Sequence, residues 1–492
     1  MLVPFIFLLC GSIVAYAMGR LEITLKTKYL AACTALTFLI CATTIQCVLT
    51  ILVLQGQTFT YVIGGTLLKM DALSVLLSMI TLILGTVVCL YSVKYMEHDH
   101  GQEYYYTLLL LMIAGIIGIG LATDLLVLYL FFELMSIPSF ALVAFRRNEW
   151  MAIEAGMKYI IMSAMGSALA FFGISLVYLQ TGTLSFTDLT GHLTATPLLQ
   201  IAMVLFILGF GVKAAIVPLH TWLPDAHSAA PSGISAMLSG IVIGAGFFTL
   251  IRALLIFTGT GLPVGELLIV LALLTMTVGN IMAFVQSTHK KVDLKRILAY
   301  SSVAQMGYII LGVGVGFAYN IQTGYEGGLF HLMTHAFMKG LAFLCAGVLI
   351  HQLGTRYLDE MKGVGLSMKF TGFVFALSLL SLAGVPPLSG FMSEWLIFSG
   401  SIQTYSIIGW WGIAIAVIAL VNALISLGYY LPIIRTLYSS PTQIKNSLRE
   451  PSRVMMLAMA ILAALTIILG IWPELGLQIV KPAVDALMIG GI

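Results

Sequence analysis

Charge is what this sequence holds least of. Lys and Arg number 23 and Asp and Glu 20 in 492 residues, only 9% of the chain, whereas 60% is hydrophobic. The mean hydropathy is +1.06, and no water-soluble domain of this length exposes such a surface without aggregating. Cysteine is also scarce. Cys10, Cys33, Cys41, Cys47, Cys89 and Cys345 lie in apolar runs and form no CxxC pair, which argues against disulfide, zinc and iron-sulfur frameworks. No metal site and no redox cofactor of the chain's own is therefore expected. The first apolar run, Met1 to Gly19, has no basic flank before it and no small-residue cleavage site, so it reads as a retained span.

What fills the chain instead is apolar runs of about 18 to 25 residues, the length that carries a helix across a hydrocarbon core of about 30 Å. Fourteen spans are expected: 2–19, 30–54, 72–93, 104–121, 124–145, 153–179, 198–222, 232–257, 265–285, 297–317, 326–350, 369–398, 406–436 and 454–472. The positive-inside rule tests this count. Loops after odd-numbered spans hold 17 Lys and Arg, among them Arg146, Arg147, Lys290, Lys295, Arg296, Arg356, Lys445 and Arg453. Loops after even-numbered spans hold only Lys69 and Arg252. The asymmetry supports the span count and puts both termini outside, and the net charge of +3 then reflects topology, with no need for a nucleic-acid partner.

Three basic residues remain inside spans: Lys158, Lys213 and Lys339. Placing a charge at the bilayer centre costs roughly 2.5 to more than 10 kcal/mol, so such groups face a protein interior or a wet cavity. Glu133 lies within DLLVLYLFFELMSIPSF, Lys213 within GFGVKAAIVPLHTWLPDAH beside His220 and His227, and Glu394 follows GVPPLSGFMS. In HLMTHAFMKG the residues His331, His335 and Lys339 recur at i, i+4 and i+8, a polar ladder of about 12 Å on one side of a helix. Zinc is excluded for HLMTH, because the HExxH enzymes need Glu after the first His and Leu332 stands there.

Two spans carry helix breakers: Pro218 and Pro224 in the seventh, and Gly384, Pro386, Pro387 and Gly390 in the twelfth. Interrupted membrane helices are tolerated where their freed backbone lines a cavity, and paired interruptions are expected of inverted structural repeats. GIIGIG at 115–120 and GVGVG at 312–316 have no strand before them and read as helix-packing surfaces, not phosphate loops.

Four stretches carry a family resemblance: VKAAIVPLHTWLPDAHSAAPSGISAMLSG (212–240), KRILAYSSVAQMGY (295–308), HLMTHAFMKGLAFLCAG (331–347) and AGVPPLSGFMSEW (383–395). They closely resemble the antiporter-like subunits of respiratory complex I, of energy-conserving membrane hydrogenases and of multisubunit Mrp sodium/proton antiporters. The resemblance covers roughly residues 70 to 435. It implies an all-α polytopic fold of fourteen transmembrane helices, with helices 4–8 and 9–13 as inverted five-helix repeats and helices 7 and 12 broken. The corresponding division is 1–103, 104–257, 258–436 and 437–492. The resemblance further implies a multi-pass protein of a prokaryotic cell membrane whose partners are other membrane subunits, with iron-sulfur clusters or flavin on partner chains and none in this one.

Roles follow from the same resemblance. Glu133 looks like the family's helix-five glutamate, Lys213 like the helix-seven lysine paired with it, His331, His335 and Lys339 like the central relay, and Glu394 like the terminal group. Lys158, His220 and His227 are supporting residues. One position departs: many relatives have a helix-eight lysine 31 residues after the helix-seven lysine, and here that position is Gly244. Three functions are therefore expected as alternatives: a proton- or sodium-translocating subunit of a redox-driven complex, a subunit of a cation/proton antiporter, and a scaffold that does not pump.

Overall fold

The computed structural model describes residues 1–63, 66–440 and 448–488; Lys445 lies outside them. Apolar runs close their backbone hydrogen bonds as helices because hydrocarbon offers no other partner. In chain order these are α1 (Val3–Leu25), α2 (Leu30–Leu54), α3 (Ala72–Tyr95), α4 (Gln102–Leu121), α5 (Leu125–Val143), α6 (Trp150–Thr181), α7 (Pro197–Lys213), α8 (Trp222–Ala229), α9 (Ser232–Phe257), α10 (Val264–Ser287), α11 (Leu294–Tyr319), α12 (Gln322–Leu353), α13 (Lys369–Leu382), α14 (Ser389–Gln403), α15 (Trp410–Tyr438), α16 (Arg453–Ile471) and α17 (Glu474–Met488). Among the described residues twelve helices are long and apolar enough to cross a membrane. The chain is a multi-pass membrane protein.

The membrane-spanning architecture is helical as expected, with one short addition: Phe59–Ile63 (β1) and Thr66–Met70 (β2) pair antiparallel, with Phe59 opposite Met70. One correction concerns the breaker expected in the seventh span. Pro224 does not interrupt a helix. It is the third residue of α8, in the first turn, where a missing N–H costs no helical bond.

Local signals set the helix ends. Asp71 caps α3 reciprocally: its Oδ1 accepts from the Ser74 N–H at 2.7 Å, and its own N–H donates to Ser74 Oγ at 2.9 Å. α6 and α12 stop at Gly182 and Gly354, both at positive φ, the left-handed conformation that glycine adopts without strain. Close packing uses the small residues. Gly115 lies against the α5 backbone at Leu134 and Met135, and Gly312 lies against Gly324 and Gly328 of α12, so both glycine runs serve helix contact.

α9 is entirely enclosed and α11 and α12 nearly so, whereas α1, α2 and α15 turn apolar side chains such as Ile13, Val48 and Leu424 outward to lipid. The inner helices are pinned at one end by a buried ion pair. Arg252, near the end of α9, holds both Asp71 carboxylate oxygens at 3.1 Å and donates to the Ala122 carbonyl at 2.6 Å. Arg252 thus belongs to a buried helix end, not to the loop expected from its place after an apolar run. Removing one partner of such a pair strands a buried charge. Arg252→Met is expected to destabilise the protein by about 3 to 5 kcal/mol, measured by unfolding in graded denaturing detergent, with Asp71→Asn in the same chain recovering part of the loss.

Candidate functional site

α7 is 17 residues long, about 25 Å at 1.5 Å per residue, and so is shorter than the hydrocarbon core. Its last residue is Lys213. The chain then turns through 214–221, with Ala215 at φ +53°, before α8 begins. Lys213 is only 1% exposed. Its Nζ donates to Ser139 Oγ at 3.0 Å and sits 4.4 Å from the centre of the Tyr159 ring, so a hydroxyl and an aromatic face replace water around the ammonium. Ser139 donates to the Ser136 carbonyl at 2.6 Å and shares a hydrogen bond of 2.9 Å with the Tyr159 hydroxyl. Trp222 stacks on Tyr159 at 3.9 Å, and its indole N–H donates to the Val212 carbonyl at 2.8 Å.

The expected direct Glu133–Lys213 pair is absent among the described residues. Glu133 accepts instead from the Ser167 hydroxyl of α6. The reason lies along α5: Lys213 is served at Ser139, six residues and about 9 Å of helix beyond Glu133. Ser136, between them, is buried with its hydroxyl unpartnered.

On α12, His331, His335 and Lys339 are all fully buried in one row. His331 bonds Ser393 Oγ at 2.8 Å through Nδ1 and Gln305 Oε1 at 2.6 Å through Nε2. Lys339 donates to the Leu298 carbonyl at 3.0 Å and to Ser301 Oγ. His335 lies 6.3 Å from the His331 ring, and neither of its nitrogens has a partner. His227 joins this row from α8: its ring stacks on Phe343, one turn past Lys339, at 4.6 Å, with both nitrogens unpartnered. His220 stays at the break after α7, its Nδ1 unpartnered.

The second break, between α13 and α14, holds Glu394. Gly384 sits in it at φ +68°, and a Cβ there would come within 2.4 Å of Glu394 Oε2. The carboxyl therefore rests on bare backbone that only glycine leaves open. Glu394 follows Ser393, the partner of His331, and lines a cavity of about 410 Å³ with Pro386, Trp395, Phe398 and Leu424.

Two sequence expectations shift. Lys158 is not inside the membrane protein's interior; its side chain is 48% exposed and pairs with Glu154 at 2.7 Å and with Asp225 at 2.8 Å. Asp225 in turn binds Arg296 of α11. Lys295, expected in a loop, is only 4% exposed and donates to the Ala230 carbonyl at 2.6 Å. At Gly244 a Cβ would lie 2.5 Å from Leu332 Cδ1, whereas at Gly246 it would lie 2.9 Å from Lys213 Cβ. α9 thus stands between Lys213 and the α12 row, and Leu332 occupies the space beside Gly244.

Residues 122–426, more than half of the chain, match the family described as NADH:quinone oxidoreductase/Mrp antiporter, transmembrane. The chain belongs to this family. Residues 66–106 also match the N-terminus of chain 5 of NADH-ubiquinone oxidoreductase (complex I). Among the family's members, F(420)H(2) dehydrogenase subunit N of Methanosarcina mazei is 33% identical over 89% of this chain and 88% of its own. NADH-quinone oxidoreductase subunit N of Trichlorobacter lovleyi is 34% identical over 84% of each. A chain in the structure of the membrane-bound sulfane sulfur reductase, an archaeal respiratory membrane complex, superposes with a TM-score of 0.88 at 25% identity, covering 100% of this chain and 99% of that one. The family resemblance of the sequence motifs is thereby established. In this family member, Gly384→Ala is expected to displace the Glu394 carboxyl, visible as a shifted carboxyl infrared band that Glu394→Gln removes; an unmoved band would show that the carboxyl does not rest on Gly384.

Proposed function

We propose that this chain is a proton-translocating membrane subunit, with sodium as the alternative ion, of a redox-driven complex akin to complex I. The observation that carries the reading is Lys213, an ammonium enclosed at the end of a helix that stops inside the membrane. The similarity to subunit N of two dehydrogenases along nearly their whole length supports the redox-driven form. The electron chemistry then belongs to partner subunits bearing iron-sulfur clusters or flavin, and this chain carries no redox centre and no metal.

The architecture under this reading has fourteen crossings and both termini outside. It is supported, among the described residues, by twelve helices long and apolar enough to cross a membrane and by two pairs of shorter helices flanking the breaks, α7 with α8 and α13 with α14. The division is 1–103, an inverted repeat over 104–257, its partner over 258–436, and 437–492.

Lys213 is the proton store of the first half and Glu133 its electrostatic switch. Two unit charges 4 Å apart at an effective dielectric of 20 attract by about 4 kcal/mol, and at twice that separation by about 2. Moving Glu133 and Lys213 together across the Ser136–Ser139 strip therefore changes their attraction by about 2 kcal/mol, roughly thirtyfold in which group keeps the proton. From Lys213 the proton passes beyond α9 to Lys339, His335 and His331, and through the Ser393 end of α14 to Glu394, from which it leaves at the second break. His220 and His227 order the first break. Lys158, in its exposed ion-pair network, holds α6 against α8.

A scaffold role finds its support in Gly244 and the Leu332 side chain beside it. The antiporter role finds its support in the family itself, which includes Mrp subunits. Sodium-dependent proton exchange without an electron donor would favour the antiporter. The test uses the intact complex in inverted membrane vesicles, with NADH, reduced F420 and reduced ferredoxin supplied in turn and the donor that drives wild-type acidification kept. Lys213→Ala and Glu133→Gln are each expected to lower acidification by about tenfold or more while the complex assembles. Normal acidification in Lys213→Ala would remove that lysine from the mechanism.

A further inference from the structure

The second break frees a backbone carbonyl, and one buried amide answers it. In a continuous helix the Leu382 carbonyl would accept from the N–H of residue 386, but Pro386 has none, and Pro387 after it has none either. The N–H of Val385 is already spent on the Leu380 carbonyl at 3.1 Å. The side-chain amide of Gln305, on α11, donates to the Leu382 carbonyl instead, at 3.0 Å. Gln305 is buried, as are the groups it touches.

A carbonyl only accepts, so this bond fixes which end of the Gln305 amide is which: its NH2 group faces Leu382 and its Oε1 faces away. Oε1 meets His331 Nε2 at 2.6 Å. An amide oxygen also only accepts, so Nε2 must carry a hydrogen. The other ring nitrogen, Nδ1, lies 2.8 Å from Ser393 Oγ, a hydroxyl that can donate or accept. That hydroxyl accepts from Thr334 at 3.1 Å and has two carbonyls in reach, those of Gly390 at 3.0 Å and Ser389 at 3.1 Å. With His331 neutral, Ser393 gives its hydrogen to Nδ1. With His331 protonated, Ser393 accepts from Nδ1 and turns its own hydrogen to Gly390 or Ser389, so every group stays bonded in both states.

We propose that Gln305 is a positioning residue that holds the ring hydrogen of neutral His331 on Nε2, leaving Nδ1, against Ser393, as the nitrogen that takes up and gives up a proton. The restriction follows because Nε2 faces an amide oxygen that has no proton to pass on and whose orientation the Leu382 carbonyl holds. The inference rests on the translocation reading above for what the proton is used for; the placing of the hydrogen does not. It ties the second break to the α12 row, because the prolines that part α13 from α14 also leave free the carbonyl that sets the histidine's tautomer.

Solid-state nitrogen NMR of the intact complex, labelled in its histidine rings and held at about pH 8, above the usual imidazole range, reads the tautomer directly. The His331 signals are those lost in His331→Asn. The wild-type ring is expected to carry its hydrogen on Nε2 with Nδ1 bare. Gln305→Met, which has neither half of the amide, is expected to shift the balance toward Nδ1–H by about fivefold, the worth of one hydrogen bond. Gln305→Glu, whose protonated carboxyl offers the same donor and acceptor, is expected to keep the wild-type tautomer. In the vesicles above, Gln305→Met is expected to lower acidification by about fivefold and Gln305→Glu to retain most of it. A wild-type ring protonated at Nδ1, an unchanged tautomer in Gln305→Met, or wild-type acidification in that variant would overturn the proposal. If Gln305→Met fails to assemble, the wild-type spectrum decides. Lys213→Ala separates the two claims: normal acidification there defeats translocation through this chain, whereas the placing of the ring hydrogen stands or falls by the spectrum alone.

Discussion

Everything in this protein answers to one constraint: within the hydrocarbon layer a polar group has only the protein to bond to. Among the described residues, twelve long apolar helices meet it for the backbone by internal hydrogen bonds. The few charged side chains meet it individually. Arg252 does so with Asp71 and a carbonyl, Lys339 with a carbonyl and a hydroxyl, and Lys213 with a hydroxyl and two aromatic rings. The last two lysines have no carboxylate in contact. An ammonium held by neutral groups alone can shift its contacts without stranding a buried counter-charge, as breaking a tight ion pair would.

Much of this was legible in the sequence. The length of the apolar runs located the helices because backbone bonding in lipid leaves few alternatives, and the i, i+4, i+8 spacing of His331, His335 and Lys339 put them in one row because α12 runs unbroken through them. What misled was proximity to charge clusters. Lys295 sits beside Lys290, Lys291 and Arg296 in sequence, yet it is the second residue of α11 and reaches inward to a carbonyl of the segment after α8. Lys158 misled the other way. It falls in an apolar stretch, but α6 has 32 residues, about 48 Å, well beyond the thickness of the hydrocarbon, so its early turns stand at the rim.

The strand pair had a signal too. FTYVI is rich in β-branched and aromatic residues and is followed by Gly64-Gly65, a sequence pattern that favours a strand with a tight connection after it. No such signal existed for the Ser139 link to Lys213 or for the bond between Ser239 of α9 and Ser302 of α11. Serine in a membrane helix is common, and only the relative rotation of helices brought together from distant parts of the chain decides which hydroxyls meet.

The stack of Trp222 on Tyr159 ties these elements mechanically. Trp222 opens α8, yet its indole N–H is anchored to the carbonyl of Val212, the residue just before Lys213, and its face lies on the ring that Lys213 touches. α8 also carries Asp225, gripped from outside by Lys158 and Arg296. A tilt of this eight-residue segment, whether started by a neighbouring subunit at the rim or by the ion pairs there, would be handed by one indole to the lysine's immediate surroundings, like a crank turning a shaft.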